Sequence, residues 1–149
     1  MKKQIFQLRS RQPGFTLIEL LVVIAIIGLL STIAVVALNN ARLKSRDAKR
    51  IADIKQIQTA LDLFYNDANG YPTSVASGGA ISNAGVTYMS TVPTNPAPEN
   101  DGTCSAANAY TYAPVGDFPY TSYTLRYCLG AQTGSVDAGI HTASPGGIE

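Results

Sequence analysis

The chain has 149 residues, enough for one modest domain with an appendage, and at 46% apolar it is not the composition of an intrinsically disordered protein. Its net charge of +1 conceals a basic first third and an acidic remainder. Residues 42–55 carry a net +4, whereas from residue 56 onward Arg126 is the only strong base and the net is −6, which excludes a nucleic-acid-binding head. The basic stretch lacks the interleaved aromatics of a single-strand binder, so no nucleic-acid partner is expected.

Residues 1–14 are short, basic and polar, with Lys2, Lys3, Arg9 and Arg11 and no acid. The run Leu20–Leu38 then contains no charge. Its 19 residues make about 28 Å of helix, close to a hydrocarbon core of ~30 Å. A cleaved secretory signal has an apolar core of only ~7–15 residues and ends at a small-residue site. This run is longer and no A-x-A closes it, so residues 15–38 read as a retained single-pass anchor, in contact with lipid. Basic residues before and after it nearly balance, and the positive-inside rule leaves its orientation open.

From Asn40 to Asn69 there is no Pro and no Gly. Ile51, Ile54, Ile57, Leu61, Phe64 and Ala68 fall on one stripe at the helical period, with charges expected on the other faces. A single helix of about 50 residues is the economical reading, roughly 75 Å long. Its half 15–38 is apolar all round and its half 39–70 amphipathic. Asn69-Gly70 followed by Pro72 stops it, with Gly70 available for a left-handed cap. The cluster Arg42, Lys44, Arg46, Lys49 and Arg50 is ordinarily a solvated face. Here it is expected to meet acidic heads of neighbouring subunits, with Arg46 and Arg50 as the contacts to test.

Residues 71–149 form a small head. Residues 73–108, rich in Ser, Gly, Ala, Asn and Pro, read as a long loop with short local structure around Val86 to Val92. Tyr110 and Tyr112, then Tyr123, Leu125 and Tyr127, alternate at period two. They predict two strands joined through Gly116-Asp117-Phe118-Pro119, with a third short strand in 136–142 and an irregular Gly/Pro-rich tail. Two or three strands need a partner, and the stripe on residues 51–68 supplies it. The tyrosines are thus read as packing rather than as a binding surface. The fold class is α+β: a long N-terminal helix with a small antiparallel sheet packed on its second half.

Both cysteines, Cys104 and Cys128, follow the anchor and read as one disulfide in an oxidising compartment, with two free thiols as the alternative. His141 is the only histidine and has no metal-ligand or triad spacing around it. No G-x-S-x-G, H-E-x-x-H or P-loop occurs, so neither catalysis nor a nucleotide motor is expected from this chain.

One constellation remains: Gly14-Phe15-Thr16-Leu17-Ile18-Glu19. A carboxylate at the edge of an uncharged apolar run is a functional candidate, because an ionised acid at a bilayer centre costs ~2.5–3.5 kcal/mol. The bland alternative is an interfacial Glu marking the end of the run. Met1 to Gly14 followed by FTLIELLVVIAIIGLL resembles the prepilin signature of type IV pilins and type II secretion pseudopilins, closely from Gly14 to about Pro72 and loosely in the head. The resemblance implies that residues 1–14 are a leader and that a membrane peptidase cuts between Gly14 and Phe15 and N-methylates Phe15. Assembly then pairs Glu19 with the new terminus at Phe15 of another copy, driven by an inner-membrane platform and an ATPase motor. The product is a surface pilus or, as the alternative, a periplasmic pseudopilus. A signal-anchored enzyme or binding protein is the more distant rival.

The chain departs from the family's pattern in places. Pro13 precedes the cleavage Gly, and Val36 stands where many pilins have Pro, leaving Gly28 as the place for any helix softening. Met89 to Pro93, with Pro96, resembles the segment after the stem of secretion pseudopilins, with Asn95 in place of an acid. Those proteins hold calcium in a carboxylate loop. Glu99, Asp101 and Asp137 are sparse for an ion that takes six to eight oxygens, so no metal or other cofactor is expected.

Overall fold

The computed structural model describes residues 14–105 and 109–148. The expected leader falls on residues 1–13, outside the described ones, apart from Gly14. The described chain divides into a helical unit that ends at Leu38 and a compact unit that begins at Asn39. Helix α1, Leu17–Ala68, runs through 52 residues. The head adds β1 (Ile81–Asn83), β2 (Val86–Met89), β3 (Thr111–Val115), β4 (Ser122–Leu129), β5 (Gly139–Ser144) and β6 (Gly147–Ile148). The class is α+β.

In the first unit every large apolar side chain from Phe15 to Leu38 is exposed. Within the described residues, α1 is the one helix long and apolar enough to cross a membrane, and none of its apolar window is buried within the chain. An all-round apolar helix with nothing packed on it needs lipid or other protein as its surroundings.

In the second unit, β3, β4, β5 and β6 form an antiparallel sheet in that order. Tyr112 stands opposite Leu125, and Tyr127 opposite His141. Ile54, Ile57, Leu61 and Phe64 of α1 share one core with Tyr123, Leu125, Tyr127, Leu129 and Ala143 of the sheet. Ile51 and Ala68, at the ends of the stripe, pack against it half-buried. The tyrosines therefore serve packing: Tyr71 meets Tyr123 edge-on at 4.8 Å, and the Tyr112 hydroxyl donates to the Pro72 carbonyl at 2.7 Å. The Gln58 amide donates to the Ser144 carbonyl at 2.8 Å, fastening the turn between β5 and β6 to the helix.

Four expectations need correction. The charged residues of α1 do not all face outward: Asp47, Arg50 and Asp53 are buried on the core side of the helix. The left-handed residue after the helix is Asn69 (φ 57°), not Gly70, since Asn tolerates that region through local hydrogen bonding. Gly70 is small for another reason, because a Cβ there would meet Pro119 at 2.9 Å. The loop 73–108 contains a hairpin, β1–β2, whose two turn residues Ala84 and Gly85 both have positive φ, the geometry that suits the twist of paired strands. The third strand of the sheet lies at Gly139–Ser144, later than expected, and the tail folds back as β6.

Candidate assembly site

Gly14, Phe15 and Thr16 precede the helix in non-helical, exposed backbone, with Phe15 89% exposed. The Gly14–Phe15 bond thus lies in exposed, non-helical backbone ahead of the helix. Thr16 is the N-cap of α1 and Glu19 its third residue, which makes a capping box. Glu19 Oε2 accepts from the Thr16 N–H at 2.7 Å and from the Thr16 hydroxyl at 2.7 Å. The Glu19 N–H in turn donates to Thr16 Oγ1 at 3.3 Å. Both bonds to the carboxylate use Oε2, so Oε1 lies outside the box. The negative charge also sits at the positive end of the helix dipole. The motif T-x-x-E is written in the sequence as Thr16-Leu17-Ile18-Glu19, but the hydropathy of the run singles out only its carboxylate.

The second cluster sits where α1 enters the head. Arg46 donates from Nε and Nη2 to the two oxygens of Asp101, the latter bond 2.7 Å long. Arg50, wholly buried, donates to Asp47 at 2.6 Å, to the Asn95 amide oxygen at 2.9 Å and to Asp101 at 3.4 Å. Asp47, equally buried, also accepts from the Gly130 and Ala131 N–H groups, each at 2.9 Å. Charges withdrawn from water are tolerable only when paired and hydrogen-bonded; these are paired, and of the Arg50 guanidinium only Nη2 is buried without a hydrogen-bond partner. Arg46 and Arg50 are therefore paired within the subunit, and Arg50, wholly buried, has no surface left for the neighbouring head it was expected to meet. Arg42, Lys44 and Lys49 remain exposed. Asp101, weighed above for calcium, is held below the usual carboxylate range by the Arg46 guanidinium. Burial pushes Asp53 above that range, against the Tyr110 hydroxyl that donates to it at 3.1 Å.

Cys104 and Cys128 are joined as a disulfide with their Cα atoms 5.8 Å apart. His141 lies on β5 with a ring nitrogen 2.8 Å from the Asp137 carbonyl. Among the described residues no three His, Cys, Asp or Glu side chains are grouped to hold a metal ion.

Comparison with known proteins bears on the first cluster. Residues 9–35 match the prokaryotic N-terminal methylation motif, a segment that contains Gly14, Phe15 and Glu19. The type II secretion system core protein G of Pseudomonas aeruginosa is 32% identical over 128 residues, covering 78% of this chain and 84% of that protein. This chain belongs to the type II secretion system core protein G family. The relatives of the same description from Vibrio cholerae (36% over 90 residues) and Aeromonas hydrophila (41% over 66 residues) align over 60% and 44% of this chain. The chain spans about half the length of these two, 56% and 46%. No solved structure gives a significant match.

Proposed function

We propose that the chain is the structural subunit of a type II secretion pseudopilus, made as an inner-membrane precursor and polymerised in the periplasm. The observation that carries this reading is the register of the first cluster: an exposed Gly14–Phe15 bond, then a carboxylate held at the head of a helix whose apolar surface nothing covers. Family membership favours a secretion filament over the surface pilus that the sequence alone put first.

Cleavage after Gly14 frees the Phe15 α-amine, and N-methylation adds apolar surface while keeping its positive charge. In a staggered stack the ammonium of one copy meets Glu19 of another, and Oε1 is the oxygen the capping box leaves for it. A lone carboxylate in a dry helix bundle is costly, so the pair fixes axial register, the best-attested use of a buried charge pair. Such a contact is heterologous and does not close, which gives a fibre. The same helix surface faces lipid before assembly and other helices after it. The partners are copies of the chain itself, a membrane peptidase that also methylates, an assembly platform and a separate ATPase, since no phosphate-binding loop occurs in this sequence. The role is structural, without catalysis of its own.

Intact-mass measurement of the native product tests the processing. The expected chain begins at Phe15 and is heavier than the bare polypeptide by one CH2 group. A product that begins at Met1 in cells with active peptidase overturns it.

A further inference from the structure

The segment 93–105 contributes no strand to the head, yet it carries both Asn95 and Asp101, the partners that reach Arg46 and Arg50 from outside the helix. Few things hold it. Asp101 and Cys104 pair with each other through two backbone bonds, 3.1 and 3.0 Å long. Thr103 donates from its N–H to the Gly130 carbonyl at 3.0 Å and from its hydroxyl to the Leu129 carbonyl at 2.9 Å. Gly102, at φ 58°, and Gly130 pass so close that neither has room for a Cβ. The covalent tie is Cys104 to Cys128, and Cys128 belongs to β4, directly after which Gly130 and Ala131 supply the N–H groups that grip Asp47.

The arginine cluster thus has two halves. Asp47 is fixed by the Gly130 and Ala131 N–H groups just after β4, without any bond to segment 93–105. Asp101 and Asn95 are fixed through segment 93–105, which the bridge anchors. We propose that the Cys104–Cys128 bridge is a redox latch on the arginine cluster, closing segment 93–105 over Arg46 and Arg50 only in a subunit that has met a disulfide-bearing thiol oxidant.

The chemistry is thiol–disulfide exchange. One cysteine thiolate attacks the oxidant's S–S bond, forming a mixed disulfide and releasing one thiol. The second cysteine displaces the other sulfur, forming Cys104–Cys128. The two cysteines lose two electrons and two protons, and the oxidant's two sulfurs gain them as thiols. A dithiol reductant reverses the sequence. Such oxidants act outside the cytoplasm, so closure marks a head that has crossed the membrane. In the open state Arg50 keeps only Asp47 among its three partners, and its guanidinium gains access to water. The latch stands or falls independently of filament assembly.

The test is arginine-selective labelling with phenylglyoxal on the full-length chain in detergent micelles, oxidised and after phosphine reduction, read by peptide mass spectrometry alongside amide hydrogen exchange. Reduction is expected to speed labelling of Arg50 about tenfold or more, as for a local opening, while Arg42 and Arg126, exposed in both states, keep their rates and the β4–β5 amides stay protected. Arg50 still shielded with both thiols free overturns the latch. So does loss of protection across the whole sheet on reduction, which would make the bridge a prop of the entire head.

Discussion

Replacing Asp47 by Ala removes three bonds at once: one to the Arg50 guanidinium and two to the Gly130 and Ala131 N–H groups. Both Asp47 and Arg50 have no exposed side-chain surface, so water does not replace the lost acceptor in place. Breaking a buried pair from one side costs about 3–5 kcal/mol, because an uncompensated charge is left behind. Arg46→Ala is the control. That side chain keeps 24% exposure, and Asp101 retains Arg50 at 3.4 Å when Arg46 is gone, so no buried charge is left unpaired and the loss costs about 1 kcal/mol. For a head of this size each kcal/mol shifts the melting temperature by roughly 4 °C, so the two variants should differ by about 10 °C or more. The apolar helix in its micelle will not melt with the head. Near-UV circular dichroism of the eight tyrosines, in a chain without tryptophan, follows the head alone. An Asp47→Ala chain that melts within a degree or two of Arg46→Ala would refute the reasoning, since burial would then not decide the cost.

Further predictions concern the core, the turn and pH. Leu61→Ala empties a fully buried position between helix and sheet and should cost about 2–5 kcal/mol in the same melting assay. Gly102→Ala should lower the melting temperature and loosen segment 93–105 in hydrogen exchange, because it adds a Cβ where φ is 58° and the Gly130 backbone leaves no room. Asp101 has a folded pKa below its unfolded value, so its stabilisation is full above about pH 4 and is lost as pH falls through the lowered value. Asp101→Asn should therefore flatten the acid limb of a stability–pH curve. Asp53 is shifted upward by burial and carries a penalty at neutral pH that protonation relieves, so Asp53→Asn should raise stability at pH 7 while keeping an oxygen for Tyr110.

The long helix, its stop near Asn69 and the period-two tyrosines were legible because they rest on hydropathy period and backbone chemistry, which local sequence carries. The charged half of the buried face was not. Asp47, Arg50 and Asp53 continue the stripe of Ile54, Ile57 and Leu61 at helical spacing, but a hydropathy pattern assigns charges to solvent. What makes them tolerable lies far along the chain: Asp101 is 51 residues from Arg50, and Gly130 is 83 from Asp47. No local rule announces such partners. The β1–β2 hairpin was hidden because Ala84 takes a positive φ that its type does not advertise. At the candidate assembly site, the sequence singles out Gly14, Phe15 and Glu19 by their register, whereas Thr16 emerges only from the bonds it makes to Glu19.

The most direct test of the proposed assembly is electron microscopy of cells that produce this chain together with a type II secretion machinery, carrying either the natural sequence or Glu19→Ala. The account predicts fibres from the first and none from the second, although the variant is still processed to a chain starting at Phe15. Normal fibres built from Glu19→Ala subunits would contradict it.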